Sequence, residues 1–492
     1  MRKVMFIMIC FTLLFLTSCE DVIKDKGAIP TKPFTVSNYL DNNAVYEGNS
    51  SLTINGTSEA NVIIRVELIS KKNKTVETYE SVVNEKNLTW SVTFDTPKIS
   101  NDYYKIKISD AHSTYVYEYT NIRFGYLWLV AGDGFINYPI KLTEDDDYDE
   151  LNEISFYDVS SNSHWLTNSE KLTQVSSFDF EFAKRLVKKV NAPVGIVVGD
   201  EHSTLIDEWL PLDSAKSFES IDSYLKKNHR YSDNLSKGDA CYLFERELKQ
   251  LEGINLSGII WSQGDNQTNL FSDKAYEKVY FDMLTTVLEK WREFFKTQKI
   301  VVLQAKSSES EYTQKLRYVQ NTAVNYYTYA KIVPTFDLVD EDAKRQSDVD
   351  IKKVAERTID IINGSKSVSS YANLILDINE LDVVDKIKIE FNNTKELEVK
   401  DEAINYLVVR YLDKDLGSII LDLKPEVLEN YLVFDLSYTE EEANELGELV
   451  PVTKYYDKSL ITIEFGQNAN LENINIFNDD MIPLLPFSIK IE

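Results

Sequence analysis

Four positions combine residue types that could do chemistry. Asp133 follows the apolar run Leu127 to Val130, and Gln263, Asp265 and Asn266 follow the run Ile259 to Trp261. Polar residues just beyond the carboxyl ends of apolar strands are where parallel α/β sheets bind their ligands. Carboxylates and amides suit the hydroxyls of a sugar, and the 29 Tyr, 23 Phe and 6 Trp could stack on its rings. The plainer alternative is that these polar groups satisfy buried backbone. His202 and Ser203, after the run Val194 to Val198, place a base beside a hydroxyl. Neighbours in sequence seldom face each other in proton-transfer geometry, so a polar loop is the expectation there.

The elements that must position these residues change character along the chain. From 34 to 122, short alternating runs are separated by turn residues: Ser51 to Ile54, Val62 to Leu68, Trp90 to Phe94 and Tyr103 to Ile108. This predicts an all-β sandwich. From 123 to 364, continuous apolar runs alternate with helical patterns. The runs are Leu127 to Val130, Val194 to Val198, Ile259 to Trp261, Ile300 to Leu303 and Ile332 to Phe336. Helices are expected over 178–190, 273–296 and 350–362. Strand, helix, strand at this spacing predicts an α/β domain with a parallel sheet flanked by helices on both sides. Alternation returns over 365–492, which predicts a C-terminal β domain.

Charge and cysteine narrow the function classes. The chain carries 53 basic and 80 acidic residues, a net charge of −27. Such a surface repels phosphate backbones, so no nucleic-acid partner is expected. Arg2 and Lys3, then the apolar stretch Val4 to Leu16, read as a signal peptide over 1–18. The stretch falls short of the roughly 20 apolar residues that cross a bilayer. Leu16-Thr17-Ser18-Cys19 resembles the bacterial lipobox, in which the signal is cut before a cysteine that receives acyl chains. The expectation is a lipoprotein held in the outer membrane through Cys19 and facing the cell surface, with 19–33 as a tether. Cleavage would remove Arg2 and Lys3 and leave a charge of −29. Cys10 would leave with the signal, so Cys241 would have no disulfide partner; it reads as a small buried hydrophobe in a helical pattern.

Five blocks, in order, resemble the sialate O-acetylesterase family of the SGNH hydrolases. Gly125 to Pro139 is similar to the family's G-E-V-W-L-C-S-G-Q-S-N-M-E-W-P, and Leu256 to Asn266 to its K-G-V-I-W-Y-Q-G-E-S-N. Ala192 to Val197 resembles P-V-G-L-I, Leu88 to Val92 resembles G-K-W-x-V, and Asn475 to Phe487 resembles N-L-Y-N followed by G-L-P-x-S-P-F. The resemblance implies an SGNH-hydrolase-like sheet between the two β domains, with neither cofactor nor metal.

The catalytic set that the resemblance implies is missing. Its nucleophilic serine falls on Gly134, which has no side chain to attack an ester. Its late Asp-x-x-His falls on Asp342 to Asp350, which contains no histidine, and the four histidines, at 112, 164, 202 and 229, all precede it. Its W-G-G-T falls on Glu201 to Thr204, and an anionic Glu201 beside a developing oxyanion would oppose catalysis. The retained Trp128, Trp261, Gly264, Trp291 and Arg292 read as packing and turn residues. We therefore expect a catalytically inactive lipoprotein that binds, with Asp133, Gln263, Asp265 and Asn266 lining the old cleft. Its partner would be a glycan, as in polysaccharide uptake, or the proteins of an outer-membrane complex. An esterase with relocated catalytic groups and a purely structural spacer are the other readings.

Overall fold

The computed structural model describes residues 27–138, 150–160, 164–167, 175–306, 312–338, 350–364, 372–380, 382–399, 407–414, 416–465, 476–480, 482, 484 and 487–491. Cys19 and the block 342–349 lie outside them.

Alternation builds the first layer pair. Strands β1 (Val45–Glu47), β2 (Ser51–Thr57), β3 (Ile63–Ser70), β4 (Thr75–Val82), β5 (Thr89–Asp95), β6 (Ser100–Asp110) and β7 (Val116–Gly132) follow one another. β2 and β5 pair antiparallel, Leu52 opposite Phe94 and Ile54 opposite Val92. Their buried residues pack with Ile64, Val66 and Leu68 of β3 and Ile106 and Ile108 of β6 in one core. This is the expected sandwich, two sheets closed over their apolar faces.

β7 carries the chain from one domain into the next. Its first half pairs antiparallel with β6, and its second half enters a parallel sheet. The boundary expected at 122/123 thus falls inside one 17-residue strand. The later strands are β8 (Ile154–Asp158), β9 (Leu166–Thr167), β10 (Val194–Asp200), β11 (Gly258–Ser262), β12 (Ile300–Leu303) and β13 (Ala330–Val333). Their order is β13-β12-β11-β7-β10-β8-β9, and every pairing but the last, β8 with β9, is parallel.

Both faces of this sheet are covered, as its continuous apolar runs require. Along β7, Leu127, Leu129 and Ala131 join the core that contains Tyr280, Leu284 and Trp291 of one helix, whereas Trp128 and Val130 join Phe178, Phe182, Val354 and Ile359 on the other face. The helices are α1 (Ser177–Val190), α2 (Lys274–Phe294), α3 (Tyr312–Asn325) and α4 (Ile351–Asn363), with shorter pieces between 206 and 251. Their ends are written locally. The Ser176 and Asp350 side chains accept from Asp179 and Lys353 N–H, the Asp273 side chain accepts from Ala275 N–H, and Gly364 ends α4 with φ +69°. Cys241 is buried as expected, but it stands with φ +70° before the five-residue helix Tyr242–Arg246 rather than within a long one.

The C-terminal region forms two four-stranded antiparallel sheets. One is built on Val384–Phe391 and Tyr431–Asp435, the other on Leu407–Asp413 and Ile461–Phe465. Their core takes in Phe336 from the α/β domain.

Candidate functional site

Three strand ends meet where the polar residues were expected. Asp133 follows β7, Ser203 follows β10, and Asp265 and Asn266 follow β11. Asp133 is buried, and its backbone N–H donates to Ser262 O at 2.6 Å. Its carboxylate accepts from Ser203 N–H at 3.1 Å and from the Asn266 amide. Burial raises the Asp133 pKa, and the donors, including Gly134 N–H, oppose that rise.

Gly134 has φ +89°. A Cβ built there would lie 2.7 Å from Asp265 Oδ2. The carboxylate of Asp265 therefore fills the space into which a side chain at 134 would project. Burial pushes the Asp265 carboxyl up to about 6; Lys306 and Arg317 oppose the rise and Asp133 adds to it. Lys306 follows β12 and donates from Nζ to the Tyr138 hydroxyl at 3.0 Å. Arg317, in α3, is wholly buried; its Nε donates to Ala305 O at 2.8 Å, and its guanidinium lies 4.9 Å from the Phe336 ring centroid. Burial pulls the Arg317 pKa down to about 9.

One expectation needs correction. Gln263 is buried and turned inward, away from the cleft. Its amide NH₂ donates to Thr204 O at 3.3 Å and Gln267 Oε1 at 2.7 Å, and its Oε1 accepts from the Tyr280 hydroxyl at 3.3 Å. It is the plainer alternative realised: a polar group satisfying buried partners. Glu201, expected beside an oxyanion, has its carboxylate paired with Lys237 Nζ at 2.6 Å. Asp133, Asp265 and Asn266 do come together. Sequence reasoning missed Lys306, which the rule of looking just past each apolar run would have found. It also missed Arg317, a helical residue with no local signal.

The cleft brings acid and amide groups together, with hydroxyls and imidazoles placed around them. The Ser262 hydroxyl donates to Asp133 O at 3.1 Å and is buried. Ser203 is exposed with φ +60°, and exposed His202 precedes it. His112 contacts Gly27 O, and His164 pairs with Asp41. No group of three or more His, Cys, Asp or Glu among the described residues is placed to hold a metal. Buried Asp133 with exposed Asn266, His202 and Ser203 at its rim can hold hydroxyls.

Residues 139–356 match the family model described as carbohydrate esterase, sialic acid-specific acetylesterase. The matched stretch begins after Gly134. A carbohydrate acetylesterase from Xanthomonas citri has the same fold: TM-score 0.67 at 15% identity, over 93% of this chain and 100% of that one. A protein from Arabidopsis thaliana gives 0.34 at 13% identity over 48% and 98%. A family two carbohydrate esterase from Clostridium thermocellum gives 0.29 at 10% identity over 65% and 93%. No curated protein sequence matches the chain.

Proposed function

We propose that this protein is a catalytically inactive member of a carbohydrate acetylesterase family, which binds a glycan or partner protein at a membrane surface. The observation that carries the reading is the state of position 134. The residue there is glycine, and the Asp265 carboxylate takes the space of the missing side chain. Among the described residues, an ester carbonyl entering this site meets no hydroxyl positioned to attack it. It meets a carboxylate instead, whose charge opposes an oxyanion. The absence of histidine after 229 removes the general base that the family resemblance implies.

What remains favours binding. Asp133, Asn266 and the Ser203 loop offer acceptors and donors, and Lys306 and Arg317 offset the charge of Asp265. The lipobox-like Leu16 to Cys19 supports a lipid-anchored position on a membrane, with outer-membrane proteins as candidate partners. The test is to express the full chain and a Cys19→Ala form and recover both from cells. The reading expects the full chain in the membrane fraction and the variant outside it. It also expects the full chain to bring down defined outer-membrane proteins in fixed ratio, or to retain an O-acetylated oligosaccharide whose acetyl groups stay intact. Acetate lost from that oligosaccharide at a rate set by protein concentration would overturn it.

A further inference from the structure

We propose a second binding site, for a carboxylated oligosaccharide, in a cleft at the junction of the β-sandwich and the α/β sheet. The cleft is open, with a volume of about 750 Å³, and lies between the β3–β4 turn, β6, β7 and the segment before β8. In a chain of net charge −27, the described residues of its wall set Lys71, Lys105 and Arg123 against one acid, Glu153. An acidic surface repels anions at long range, so an anionic ligand needs such a local reversal of sign.

The cations are built into place. Lys71 Nζ lies 5.4 Å and the Arg123 guanidinium 5.6 Å from the centroid of the Tyr103 ring. A ring that attracts both cations fixes their position at little entropic cost. Arg123 is only 3% exposed; it donates from Nη1 to Asn152 O at 2.8 Å and Glu153 at 2.9 Å, while its buried Nε meets no acceptor among the described residues. Lys105 pairs with Glu118 at 3.1 Å. Exposed Lys71 makes no ion pair among the described residues, so its ammonium is the one left to meet a ligand carboxylate.

The rest of the wall selects for a sugar over a simple ion. Asn73, in the β3–β4 turn, and Asn121, within β7 with its amide NH₂ donating to Asn43 Oδ1 at 3.0 Å, both lie in the left-handed region with φ +55° and +58°, and hydroxyl side chains share the same wall. Amides beside a fixed cation suit a uronate, whose ring carries hydroxyls and whose carboxylate seeks the ammonium. The site lies apart from Gly134 and Asp265, so it does not depend on whether the cleft there hydrolyses esters.

Calorimetric titration of the full chain with tetragalacturonate tests the proposal, alongside its methyl ester and tetraglutamate. We expect tetragalacturonate to bind, and both the methyl ester and the Lys71→Glu variant to lower affinity about tenfold or more. Tyr103→Phe, which keeps the ring, should bind as wild type, and Tyr103→Leu should bind more weakly. Asp265→Asn should leave affinity unchanged. No binding of tetragalacturonate, equal binding of tetraglutamate, or full affinity in Lys71→Glu would each overturn the site. Lys71 is exposed, so loss of the fold does not confuse that variant; an unchanged melting temperature checks it.

Discussion

Gly134 and Asp265 are coupled by space rather than by a bond. Restoring a hydroxyl with Gly134→Ser forces a Cβ into a backbone with φ +89° and against Asp265 Oδ2. Strain of this kind costs on the order of 1–3 kcal/mol. We expect urea unfolding to show that loss, and Asp265→Ala in the same chain to return part of it. A double-mutant cycle that shows simple additivity would mean that the two positions do not share space. Asp265 also makes stability depend on pH. Its native pKa of about 6 exceeds the roughly 3.9 of an unfolded aspartate. The native state then binds the proton more tightly, so stability falls as pH rises between these values, and the full penalty stands above 6. Asp265→Asn should therefore stabilise the protein most above pH 6 and little near pH 4, as read by melting temperature across that range. Only part of this was legible in the sequence. Glycine at 134 and the lack of a late histidine are matters of spacing and count. The meeting of Gly134 with Asp265 is not, because 131 positions separate them and only strand order joins them. Gln263 was misread because being near a strand end does not say which way a side chain turns.

At the scale of elements, the site depends on strands that approach closely enough to bring their ends together. Gly258 in β11 lies against Trp128 of β7, and a Cβ there would come within 2.3 Å of the indole. Overpacking of this kind typically costs about 1–3 kcal/mol, so Gly258→Ala should lower the urea midpoint and, with it, the unfolding free energy by about that much. A wild-type midpoint would mean that Trp128 moves freely, against its burial between the sheet and Phe182. Element types were well written. The helices begin at Ser176, Asp273 and Asp350 because those side chains accept free N–H groups, and their apolar spacing gave 178–190, 273–296 and 350–362 to within two residues. Junctions were less legible. The run Ile332 to Phe336 reads as one strand, yet β13 stops at Val333 because Pro334 has no N–H to donate. The shift from alternating to continuous apolar residues near 126 looks like a domain boundary. In fact β7 passes from a half-exposed sheet into a doubly covered one without a break, and only burial changes along it.

The whole molecule inherits that continuity. The sandwich and one face of the α/β sheet share a core, with Tyr39, Tyr46 and Trp165 in edge contact across it, so the two should unfold together. We expect a chain that begins at 123 to be insoluble or lack near-ultraviolet ellipticity, since it cuts β7 and exposes the shared core; a folded, soluble fragment would show that the sandwich is dispensable. The sequence announced three regions and their order, and the family resemblance located the cleft. Neither could show that two of the regions are one packed body, which depends on contacts between residues far apart in the chain. On the proposed reading, the fold is kept as a frame around a cleft that no longer attacks esters. The most direct test of that claim is the initial rate of acetate release from an O-acetylated sugar and from an activated acetyl ester, measured on purified wild type and on Asp133→Asn, Ser203→Ala and Asp265→Asn. We predict rates equal to buffer for all four proteins. Hydrolysis by wild type that any one of these substitutions abolishes would contradict the account.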